Sequence, residues 1–125
     1  MFNIALLDAA PLQPESKSLL ARMSTKPTTQ RVKLIDGLVK SLKAASIWSN
    51  LDALYVMAAA DSQAARLNWI AAAYDLTAVA SPTFTADRGY TGDGASSYLD
   101  TNFNPATASG KFALNSASLF VYPRA

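Results

Sequence analysis

Residues 82–122 read PTFTADRGYTGDGASSYLDTNFNPATASGKFALNSASLFVY, and this stretch decides the fold. Turn formers alternate in it with short runs of β-branched and aromatic residues, and Gly92-Asp93-Gly94 punctuates the middle. Such runs, bounded by Gly, Pro, Asn and Asp, predict short antiparallel strands. The expected strands are 76–79, 83–85, 97–101, 112–114 and 117–122, the last (ASLFVY) being the richest in β-formers. Residues 87–94 read as a turn region, with Gly89, Gly92 and Gly94 supplying positive-φ positions.

Upstream the period changes from two to that of a helix. After Pro27, Thr28 or Thr29 is placed to cap a helix whose stripe is Val32, Ile35, Leu38, Val39 and Leu42, with Leu34 flanking it. Lys33, Asp36, Lys40 and Lys43 fall on the opposite, solvent side. Gly37 within it costs about 1 kcal/mol relative to Ala, which suggests close packing there. A second helix is expected from Ser49 or Asn50, with Leu51, Leu54, Tyr55 and Ala58 on one face and Ile47 and Trp48 just before it. A third, 62–70, is expected after an Asp61 cap. Before all of these lies an arm with an apolar cluster (Phe2, Ile4, Leu7). Pro11 and Pro14 follow, then a short helix over 15–23 with Leu19, Leu20 and Met23 on one face.

The chain therefore divides into an arm or anchor at 1–26, a helical hairpin unit at 27–73, and a β-rich, incomplete sandwich-like region at 74–125. The class is α+β: an N-terminal arm and helical hairpin followed by a short antiparallel β region.

Composition narrows the chemistry. The 125 residues include no His and no Cys, which removes disulfides, thiolate metal sites and cysteine nucleophiles. No nucleophile–base pair is legible, so an enzyme is not expected. The net charge of +2 is small and its basic residues are dispersed, which argues against a nucleic-acid partner. The longest apolar run, 53–60, is far too short to span a membrane, and no signal peptide opens the sequence. A soluble protein made in the cytoplasm, with no membrane insertion, is the expectation.

Few residues invite a ligand. Asp93, between two glycines, is a weak cation candidate beside Asp87 and Asp100. No spacing matches a calcium loop, however, and a turn held by its own side chain is the simpler reading. Neither a metal nor a cofactor is expected. Asp87 and Arg88 are candidates for an ion pair pinning their loop. Trp69, Tyr90 and Tyr98 are candidates for a ligand-stacking surface. Phe2, Ile4, Leu7, Ile35, Leu38, Leu42, Trp48 and Tyr55 are candidates for an assembly interface. Asn68-Trp69 reads as structural, the amide capping and the indole packing.

One combination is more specific. Trp48 with Leu51-Asp52-Ala53-Leu54-Tyr55 is followed by Ala65-Arg66-Leu67-Asn68-Trp69. Asp87-Arg88-Gly89-Tyr90-Thr91-Gly92-Asp93-Gly94 and Tyr98-Leu99-Asp100-Thr101 come after them. Together these pieces resemble a module of tailed-bacteriophage virion proteins, of the tail fibre or spike type, over roughly residues 34–122. The resemblance implies that the strands open a concanavalin-like (LamG-like) jelly roll, a sandwich used for glycan or surface recognition. It also implies a virion structural protein, in a tail fibre, spike or connector. Such a protein assembles as a homo-oligomer (a trimer suits a fibre) and attaches to other virion proteins. A carbohydrate-binding module for host-surface glycans is the alternative, and a glycan depolymerase ranks last. Because the sequence stops soon after ASLFVY, two expectations stand: the sheet is completed by other chains, or the chain is a shortened relative of a longer protein.

Overall fold

The computed structural model describes residues 10–108 and 110–123. Phe2, Ile4 and Leu7, three of the interface candidates, lie outside the described residues.

Pro14 opens the first helix, α1 (Pro14–Ala21), where a missing N–H is harmless, and Glu15 places negative charge in its first turn. Ser16 and Leu19 are its buried residues. The second helix, α2 (Thr29–Ala44), starts where the Thr28 hydroxyl accepts the Arg31 N–H at 3.3 Å. It stops through a paired C-terminal motif. The Ile47 N–H returns to the Leu42 carbonyl and the Ser46 N–H to the Lys43 carbonyl, with Ser46 in the left-handed region at φ 58°.

α1 and α2 pack as an antiparallel hairpin, since the start of α1 lies against the C-terminal half of α2. There Lys43 reaches Glu15 at 2.8 Å, and the Asp36 carboxylate accepts the Gln13 N–H at 2.7 Å. The hairpin is thus made by 14–44, and not by three helices between 27 and 73. Asp36, expected on the solvent side, is buried, because the segment leading into α1 covers it. Gly37 is exposed, with open space where a Cβ would stand, so close packing does not explain it.

The second predicted helix is absent. Trp48–Asn50 forms a single 3₁₀ turn, and Leu51 leaves it in an extended conformation. Backbone pairing explains the difference. The Leu54 N–H goes to the Asn68 side chain and its carbonyl accepts the Trp69 N–H, while the Ala59 carbonyl accepts the Asp87 N–H. Groups committed to distant partners are unavailable for i to i−4 bonds. The third predicted helix shrinks to one turn, Ala64–Arg66. Asp61 does cap it, its carboxylate accepting the Ala64 N–H at 2.8 Å. Leu67 then turns extended, and the Arg66 carbonyl accepts the Leu76 N–H.

Four strands of three residues follow: β1 (Thr77–Val79), β2 (Thr83–Thr85), β3 (Gly89–Thr91) and β4 (Tyr98–Asp100). They form two separate two-stranded antiparallel ladders, β1 with β4 and β2 with β3. Phe84 stands opposite Tyr90 and Ala78 opposite Leu99. The α+β class with antiparallel strands is therefore what the chain adopts. Within the expected turn region, 89–91 is a strand, and Asp87 (φ 61°) takes a left-handed position while Gly92 does not. The strands expected at 112–114 and 117–122 do not form. An isolated bridge, Ala113 to Ser116, is what remains there, and 117–123 has no ladder partner among the described residues. High β-propensity does not make a strand without an edge to pair with.

The core is Leu19, Ile35, Val39, Leu67 and Trp69, with Leu20, Met23, Trp48, Leu54 and Val56 packed against it. Both helices and the irregular stretch after them contribute, so the helical and extended parts share one interior.

Candidate assembly surface

The site is built from a pinned body and two uncovered apolar features. Asn68 pins the body. Wholly buried, its side-chain oxygen accepts the N–H groups of Leu54 and Ile70, each at 3.1 Å. Its amide donates to the Ala73 carbonyl at 2.9 Å and more weakly to that of Asp52 at 3.4 Å. The Asn68 N–H goes to the Asp75 carboxylate at 2.7 Å, which also accepts from Arg22 at 3.2 Å. Arg22 donates to the Asn68 and Ala71 carbonyls as well. One arginine at the end of α1 thus ties the hairpin to the loop that carries Trp69. The structural reading of Asn68-Trp69 holds.

Further along, Asp52 accepts the Lys111 N–H at 2.7 Å, and Lys111 Nζ donates to the Leu51 carbonyl. Phe103 sits edge-on between Tyr74 and Phe112 at centroid distances of 5.0 and 5.7 Å. These contacts hold the chain to the body as far as Phe112.

Beyond that point Leu119, Phe120, Val121 and Tyr122 are 72–96 % exposed. In extended backbone Leu119 and Val121 share one face and Phe120 and Tyr122 the other, so both faces of this tail are apolar. The second feature is a groove of about 160 Å³ beside α2. Met23, Pro27, Leu34, Leu38, Val56 and Ala59 border it, above the buried Ile35 and Trp69. Leu34 is 67 % exposed, although its place beside the stripe gave no reason to single it out. The groove itself had no signal in the sequence, because its far wall is the irregular 56–60 segment.

The interface candidates separate accordingly. Ile35 is core and Leu38 borders the groove. Leu42, Trp48 and Tyr55 are half-buried. Tyr55 donates its hydroxyl to the Tyr74 carbonyl at 2.6 Å, and burial, with Asp75 nearby, raises its phenol above the usual range. Of the ligand-surface candidates, Trp69 is corrected outright: at 7 % exposure it belongs to the core. Tyr90 is half-buried against Phe84 and donates to the Ser62 carbonyl. Tyr98 alone of the three is well exposed, at 55 %.

Asp93 is a turn residue. Its carboxylate accepts the N–H groups of Ser97, Ala95 and Ser96 and the hydroxyls of Ser96 and Ser97. Those bonds, led by the Ser97 N–H, hold the carboxyl far below the usual range. Its Oδ1 is thus engaged from within, as the reading of a turn held by its own side chain expects, while Oδ2 takes only the Ser96 hydroxyl. Asp87 pairs with Arg31 at 2.7 Å rather than with Arg88, tying the β2–β3 turn to α2.

Charge at the hairpin is balanced locally. Burial alone would raise the Asp36 carboxyl, but Lys40 at 2.8 Å and the Gln13 N–H outweigh it and the group lies low. The Lys43 ammonium likewise holds Glu15 below its ordinary value.

No protein-family model, curated protein or solved structure matches the chain. Among the described residues no group of three or more carboxylates stands ready for a metal, and no helix is long and apolar enough to cross a membrane.

Proposed function

We propose that this chain is a virion structural protein of a tailed bacteriophage, part of a tail fibre, spike or connector, working by association rather than by catalysis. Copies of the chain assemble with one another and with other virion proteins, and the particle is where the protein resides. The observation that carries this reading is the uncovered tail, Leu119 to Tyr122, following a body pinned by hydrogen bonds up to Lys111. Four consecutive large apolar side chains in water are unfavourable, and burying them between chains removes that penalty. The resemblance of the 34–122 segment to phage virion modules supplies the biological setting.

Light scattering over a dilution series tests the association. A mass above that of one chain that falls on dilution, or holds as a fixed oligomer, supports assembly. A monomer throughout, at concentrations up to those of a crowded particle, rejects it.

A glycan-binding role has one specific observation in its favour, the exposed ring of Tyr98. Loss of binding to host-surface glycans on Tyr98→Ala, with folding intact, would support it. No glycan binding by the unaltered chain would end it.

A further inference from the structure

We propose that the tail of one copy seats in the α2 groove of a second copy, head to tail, with Phe120 as the inserting side chain. This rests on the assembly reading above and names the two surfaces that meet. Both halves of the contact are on the same chain, and neither is filled by its described residues. Leu119–Tyr122 is exposed, and the groove between α2 and residues 56–60 stands open.

Size fits on both sides. The groove, about 160 Å³, has room for one aromatic side chain, and Leu34 and Leu38 extend its apolar wall along α2 for the flanking residues. The two tail aromatics bury on the order of 300 Å² or more. With Leu119, Val121 and the matching area on the partner, the total reaches roughly 1,000 Å², the lower bound for a specific interface. The two-faced tail also suits a cleft better than a sheet edge. A groove covers both sides of an inserted strand, whereas the three-residue edges of the ladders offer few hydrogen bonds to a six-residue segment.

A contact between two different patches of the same chain is heterologous. It propagates from copy to copy and gives a ring if the rotation closes or a filament if it does not. That geometry distinguishes it from a tail-to-tail pair, which would stop at two.

The test mixes two full-length variants, Phe120→Asp (tail removed, groove intact) and Leu34→Asp (groove altered, tail intact). Both positions are exposed, so circular dichroism should match that of the unaltered chain. Each variant alone is expected to be monomeric where the unaltered chain associates, its self-association weakened at least tenfold. Their equimolar mixture should give dimers and nothing larger, because only one working tail and one working groove remain. Leu34→Asp associating like the unaltered chain, or a mixture that stays monomeric, overturns the head-to-tail pairing while leaving assembly standing. An unaltered chain that never associates removes both.

Cross-linking gives a second reading. The chain has no cysteine, so a Leu34→Cys chain oxidised with a Phe120→Cys chain can form only introduced disulfides. Heterodimers support the pairing, and Phe120→Cys homodimers alone reject it.

Discussion

The side-chain oxygen of Asn68 accepts the backbone N–H of Leu54 at 3.1 Å, and the carbonyl of Leu54 accepts the N–H of Trp69 at 2.9 Å. A buried amide thus supplies by long-range contact what a helix would have supplied locally. Replacing it with alanine leaves the Leu54 and Ile70 donors and the Ala73 acceptor without that partner inside the protein. Asn68→Ala is expected to destabilise the fold by about 2–4 kcal/mol, read by urea denaturation. Asn68→Asp should fare no better, since it loses both donors and buries a charge beside Asp75. A loss below about 0.5 kcal/mol, typical of a neutral surface site, would mean that the amide does not hold this loop.

Two glycines should respond to alanine with opposite signs. Gly37 is exposed in mid-helix with nothing near its missing Cβ, so Gly37→Ala should stabilise by about 0.5–1 kcal/mol. Gly89 is buried at φ 96°, where a Cβ would stand 3.2 Å from that of Met57. Gly89→Ala should destabilise by about 1–3 kcal/mol through backbone strain and contact. Thermal melts of the two variants check both, and equal shifts would contradict this account of β3.

Ser46 occupies the left-handed position after α2 that glycine fills most easily. Ser46→Gly should raise stability by a few tenths to about 1 kcal/mol, with helix content unchanged by circular dichroism. A fall in stability would show that the serine contributes more than a turn.

Acid should weaken the hairpin. The folded-state values of Glu15 and Asp36 lie below their ordinary values of 4.5 and 3.8, so the unfolded chain binds more protons in that range. Their contribution is complete above those ordinary values and is lost as pH falls through the lower, folded-state ones. Asp93 acts in the same direction. Melting temperature should therefore drop as pH falls below about 5. Lys43→Met, which removes the partner of Glu15, should make that drop shallower; an unchanged slope would assign the acid sensitivity elsewhere.

Local signals and long-range commitments account for what the sequence made legible. The start of α2 was readable to within a residue because Thr28, Pro27 and the Ile35–Val39 stripe act over one or two turns. Asp61 was readable as a cap for the same reason, although the helix behind it was not. Leu54-Tyr55-Val56-Met57 is a continuous apolar run, and such a run reads alike as buried helix or buried extended chain. The partners that decide, Asn68 and Asp87, stand 14 or more residues away. Burial misled twice. Asp36 has a charge suited to solvent but lies under Gln13, and Trp69 has a ring suited to sugar stacking but lies in the core. The tail was misread as a strand because propensity says how well a segment pairs, not whether an edge is there to receive it.

Among the described residues every buried hydrophobic one lies between Leu19 and Leu76, ahead of the four strands. During synthesis the interior can therefore close while residues 117–122 have yet to be added to the chain. The sticky segment is then added after every residue of that core has been made. Translation order in this way protects the nascent core from being captured by its own tail.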